Sequence, residues 1–127
     1  MNKTKKIALF FLVFFITACG AKENALGKED FGRQVELREG EKILITLDAN
    51  PTTGYQWEIV EMDNSILKQV GEAEYDADSP KLVGSGGEEN FRFEAVGTGV
   101  TDLQLIYHQP WETVPPVDTF SLTIVVK

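Results

Sequence analysis

From Lys42 to the end, the chain is written in twos, and that alternation limits its fold more than any other feature. Ile43, Ile45 and Leu47 alternate with Lys42, Leu44 and Thr46, and Tyr55, Trp57 and Ile59 alternate with Gln56, Glu58 and Val60. Phe91, Phe93 and Ala95 follow the same rule, as do Leu103, Leu105 and Tyr107, and Phe120, Leu122, Ile124 and Val126 close the chain in the same way. Successive side chains on a strand point to opposite faces, so each set predicts a strand with one buried face. Turn chemistry separates the sets at Glu39-Gly40, Asn50-Pro51, Asp63-Asn64, Gly84 to Gly87, Gly97-Thr98-Gly99 and Pro110 to Pro116. No stretch keeps a helical period for three turns. Several short strands in about 100 residues predict an all-β, immunoglobulin-like antiparallel β-sandwich. The chain has a single cysteine. No intersheet disulfide is therefore available, and Trp57 with the aliphatic and Phe sets must build the core alone.

The N-terminus follows different chemistry. Lys3, Lys5 and Lys6 precede an apolar run from Ile7 to Ile16. That run is half the roughly 20 residues a membrane-spanning helix needs, so it reads as the apolar core of a secretory signal. Ile16-Thr17-Ala18-Cys19 then resembles the bacterial lipobox. The resemblance implies cleavage before Cys19 and a thioether-linked diacylglycerol on its sulfur, with palmitate among the acyl chains. It makes the protein exported and lipid-anchored to a bacterial membrane in the cell envelope. Two acyl chains suffice for stable anchoring. The expected organisation is a signal peptide over 1–18, a polar, aperiodic and flexible tether over 19–32, and one domain over 33–127.

Charge narrows the function. Without the signal, nine Lys and Arg face twenty Asp and Glu, a net of about −11. Such a surface repels a phosphate backbone, and no basic stripe offsets it, so nucleic acid is not a partner. His108 is the one histidine, with Glu112 and Asp118 the acids nearest in sequence. That inventory supplies no nucleophile–base pair and no metal set. The expectation is a monomer that is not an enzyme and needs neither cofactor nor metal. His108 falls on the face opposite Leu105 and Tyr107, where a solvated side chain is expected.

Three segments outside the alternation hold the candidate binding residues. The first is Asn50-Pro51-Thr52-Thr53-Gly54-Tyr55. Asn50 is able to bond backbone ahead of it, Pro51 fixes a dihedral, Gly54 permits positive φ, and the two threonines are stiff at χ1. It is either a well-made turn or an ordered polar tip for docking. The second, Leu82-Val83-Gly84-Ser85-Gly86-Gly87, is a flexible hairpin connection or a backbone built for close approach; no phosphate-loop arrangement follows it. The third runs from Tyr107 through Gln109-Pro110-Trp111-Glu112 to Pro115-Pro116. Its Trp111 either folds back over the sandwich end or stands out as a recognition anchor.

Taken in order, the NPTTGY loop with Trp57 two residues on, the GSGG loop and the Tyr-x-x-Pro-Trp-Glu loop resemble the chagasin family, inhibitors of papain-type cysteine proteases. The likeness covers Val35 to Lys127. It implies that the three loops cluster at one end of the sandwich and reversibly occlude a protease's active-site cleft. Thr52 and Thr53 would enter beside the catalytic Cys and His, Gly84 to Gly87 would line one side of the groove, and Trp111 would pack on the other with Pro110 setting its approach. The family usually carries Arg before the Pro-Trp pair, where this chain has Gln109. The competing expectation is an envelope-anchored adhesion or binding module using the same loops on a different protein.

Overall fold

The computed structural model describes residues 23–79 and 81–127. Cys19, and with it the expected lipobox and signal peptide, lies outside the described residues. Among the described residues, nine strands form two packed sheets: β1 (Glu23–Gly27), β2 (Gln34–Leu37), β3 (Lys42–Ala49), β4 (Gln56–Glu61), β5 (Leu67–Gln69), β6 (Glu74–Ala77), β7 (Gly87–Ala95), β8 (Gly99–His108) and β9 (Asp118–Val126). One sheet has the order β1-β3-β7-β5, with β6 also pairing along β7; the other has the order β2-β9-β8-β4. The all-β sandwich expected from the alternation is present.

The alternation becomes burial almost residue for residue. Ile43, Ile45 and Leu47 on β3, Phe91, Phe93 and Ala95 on β7, Leu103 and Leu105 on β8, and Phe120, Leu122, Ile124 and Val126 on β9 are all buried. Trp57 joins them from β4, and its indole N–H donates to the Asp48 carbonyl at 2.9 Å. This bond links the two sheets where a disulfide is absent. Each fully buried aliphatic or aromatic side chain contributes on the order of 2 kcal/mol relative to exposure.

Two features depart from a purely antiparallel sandwich with a free N-terminal tether. Glu23–Gly27 forms the edge strand β1, parallel to β3 with Glu23 opposite Lys42 and Gly27 opposite Thr46. β2 is likewise parallel to β9. Between β1 and β2, a short 3-10 turn carries the chain from one sheet to the other. Buried Asp30 accepts from the Gly27 backbone N–H at 2.9 Å and pairs with Arg33, while Lys28 pairs with Asp118 and donates to the Thr119 carbonyl. These contacts order 23–32, which the polar composition had suggested was tether. The physical reason is that edge pairing is backbone bonding and needs no apolar alternation.

Direction along the strands decides what lies at each end. β3 leads into Asn50, β6 and β7 meet across 78–86, and β8 returns through 109–117 to β9. All three long loops therefore emerge at one end. The turns at 38–41, 62–66 and 96–98 occupy the other, together with the start of β1.

Candidate functional site

The first loop is set from within. Asn50 accepts through Oδ1 from the Thr52 N–H at 3.2 Å and from the Thr52 hydroxyl at 2.5 Å, capping a single 3-10 turn over Pro51–Thr53. The Thr53 hydroxyl donates to the Asn50 carbonyl at 2.6 Å. Gly54 closes the turn in the left-handed region, with φ +82°. Both threonines stay exposed, although their hydroxyls are spent on the loop itself. Below them, the Asn50 N–H donates to the Tyr107 hydroxyl at 2.9 Å, and the Tyr55 ring stacks on Tyr107 with centroids 5.4 Å apart. Tyr107 in turn packs on Trp57 at 5.0 Å. The tip is thereby fixed to the core through an aromatic column.

The other two loops attach to the first. The Asn50 side-chain amide donates to the Gly84 carbonyl at 3.2 Å, bringing in the glycine loop. Gly84 and Gly86 both have positive φ, and Ser85 lies exposed between them. Gly87 belongs elsewhere. It is buried as the first residue of β7, and a Cβ there would lie 2.1 Å from the Asp76 carbonyl oxygen. Its role is close strand pairing rather than surface contact. From the third loop, the Gln109 side-chain amide donates to the Thr53 carbonyl at 3.0 Å. Pro110 is exposed, and the Trp111 indole rests against Gly54, where a Cβ would lie 2.3 Å from its Cη2.

Trp111 keeps 66% of its surface exposed and so does not cap the core. The second and third loops also carry Leu82, Val83, Val114 and Val117, each more than 60% exposed. Leu82 and Val83 stand in the sequence as an apolar pair inside a turn segment. His108 also differs from expectation: its side chain is only 18% exposed and its Nε2 lies 2.6 Å from Glu58 Oε2 on β4. Among the described residues, no group of three or more His, Cys, Asp or Glu gathers as metal ligands would.

The sequence profile of the chagasin family of peptidase inhibitors matches residues 36–124. The chain belongs to the chagasin family. It is 33% identical to chagasin of Trypanosoma cruzi over 100 residues, covering 76% of this chain and 89% of that protein. The crystal structure of the cysteine protease inhibitor EhICP2 from Entamoeba histolytica superposes with a TM-score of 0.73 at 20% identity, over 83% of this chain and 96% of that one. The fold recurs, at 14% identity and a TM-score of 0.58, in PbICP-C, solved in complex with falcipain-2, over 84% of this chain and 92% of that one. Members of this family are peptidase inhibitors, not enzymes, and the chain is one of them by sequence and by fold.

Proposed function

We propose that this chagasin-family protein reversibly inhibits papain-family cysteine proteases by seating Asn50–Tyr55, Gly84–Gly86 and Gln109–Trp111 in the active-site cleft, and that it works from a membrane, held by lipid on Cys19. One observation carries the inhibitory reading. Three loops from separate parts of the chain are bonded into a single surface through Asn50 to Gly84 and Gln109 to Thr53, with Trp111 lying on Gly54.

The physics of such a surface suits inhibition. Peptide cleavage needs the scissile carbonyl aligned with the thiolate and the oxyanion donors. A loop whose own hydroxyls and amides are already bonded fills that space without offering a carbonyl in reactive geometry. Because the loops are ordered before contact, little conformational entropy is lost on docking. A standard protease–inhibitor interface takes about 800 Å² from each partner, and three adjacent loops on one sandwich end offer a single surface for it. The lipid anchor is supported by Lys3 to Lys6, the short apolar run and the Ile16–Cys19 motif, all in the sequence.

The test is inhibition of papain by the purified protein, with a serine protease as control. Selective, reversible inhibition is the expected result. A folded protein that inhibits neither papain nor several relatives would sink the reading in favour of a different protein partner for the same loops.

A further inference from the structure

Beneath the first and third loops, a cleft of about 380 Å³ opens between the two sheets, walled by Pro51, Tyr55, Tyr75, Pro110 and Trp111, with Glu89 as its one acidic lining residue. Glu89 occupies a position the sandwich normally gives to an apolar side chain. It shares the inward face of β7 with buried Phe91 and Phe93, and its register partners are buried Leu47 on β3 and Tyr75 on β6. The carboxylate is only partly exposed. Among the described residues it has neither a side-chain hydrogen bond nor an ion pair: Lys28, Arg33, Arg92, His108 and Lys127 pair with other acids.

We infer that this cleft takes a cationic side chain, an arginine guanidinium above all, from the protein that docks on the loop surface. A partly desolvated carboxylate without a partner carries a free-energy cost that an incoming cation offsets. Tyr55, Tyr75 and Trp111 line the same cleft, and aromatic rings beside a guanidinium add cation–π attraction to its bond with the carboxylate. Burial pushes the Glu89 carboxyl above its ordinary value, in line with a site awaiting a counter-charge. The volume lies at the small end of the range for ligand pockets, in proportion to one side chain rather than a cofactor. The identity of the donor rests on the inhibitor reading, with the docked protease supplying the cation; the cleft itself does not.

Two measurements separate these layers. The purified protein is titrated with N-acetyl-arginine amide and, in parallel, with the neutral N-acetyl-norleucine amide, following the Tyr55, Tyr75 and Trp111 ring signals by NMR. The expected result is saturable shifts with the arginine compound alone, weakened about tenfold or more in Glu89→Gln. Equal shifts with the norleucine compound, or an unchanged response in Glu89→Gln, would overturn the cation site whatever the protein inhibits. The second measurement is dissociation from a protease that the wild type inhibits, expected to be about tenfold faster for Glu89→Gln at unchanged thermal stability or better. Identical dissociation rates would overturn the protease as the source of the cation.

Discussion

At the scale of single residues, the decisive contact is between Gly54 and Trp111. The indole lies where a Cβ on residue 54 would stand, so the glycine serves both the left-handed backbone and the placement of the anchor. Gly54→Ala is expected to displace the indole and strain the turn, destabilising the fold by about 1 kcal/mol while weakening protease inhibition more than that. Trp111→Ala should weaken inhibition by about 2 kcal/mol or more, as truncation of an aromatic anchor does. Its thermal midpoint should hardly move, because the indole is mostly exposed; a collapse in stability would make Trp111 a core residue instead. Two carboxylates give opposite pH signatures. The hydrogen bond from the Gly27 N–H, aided by Arg33, holds Asp30 below its ordinary 3.8. Its contribution is therefore present above about pH 3.8 and lost as pH falls through the lower folded value. Glu89 is raised above 4.5 by burial, facing Tyr75 across β6 and apolar Leu47 across β3. The folded state holds that proton more tightly, so stability is lost as pH rises from 4.5 through the folded value. Glu89→Gln should accordingly match wild type near pH 4 and gain in thermal midpoint relative to it toward neutrality, measured by calorimetry across pH.

At the scale of elements, the three loops work as one body because side-chain amides bridge them. Asn50 ties the first to the second, and Gln109 ties the third to the first. Gln109 donates a neutral hydrogen bond to the Thr53 carbonyl and so positions the threonine tip. Gln109→Ala should leave the folded structure intact but loosen the first loop against the third, with Trp111 on Gly54 as the remaining contact between them. Inhibition is expected to weaken by about 1 kcal/mol, the net worth of one hydrogen bond, with amide exchange at Thr53 and Gly54 speeding up. Unchanged exchange at those amides would show that the bridge does not hold the tip. The strands beneath are less delicate, since their inward residues are buried aliphatics and Phe whose pairing is set by register.

At the scale of the whole molecule, polarity of the sandwich joins the proposed anchor to the proposed inhibitory surface. β1 starts opposite Lys42, at the far end of β3 from Asn50. Eight residues at about 3.3 Å each separate those ends by roughly 25 Å. A lipid on Cys19, four positions before Glu23, would thus leave the loops facing away from the bilayer. Protein anchored on vesicles should inhibit soluble papain as strongly as detergent-released protein does, and Cys19→Ser should abolish both palmitate incorporation and vesicle binding. Inhibition lost on anchoring would mean that the loops face the membrane.

The sequence by itself determined the sandwich, its principal strands and the three loops, because alternation and turn chemistry are local properties of neighbouring residues. It also determined the family, through motifs that survive in order along the chain. The tertiary structure alone decided three things. Glu23–Gly27 became a strand because β3 offers it an open edge, a condition nothing within ENALG encodes. His108 found Glu58, and Gln109 found Thr53, across antiparallel strands and loops some fifty residues apart in sequence. Glu89 came to line a cleft because the parity of β7 places it on the face of Phe91; that parity was legible, but the aromatic walls around it come from three other segments. Pairing of distant backbone and the meeting of separate loops depend on how the two sheets are stacked, and that stacking is settled by the packed core as a whole.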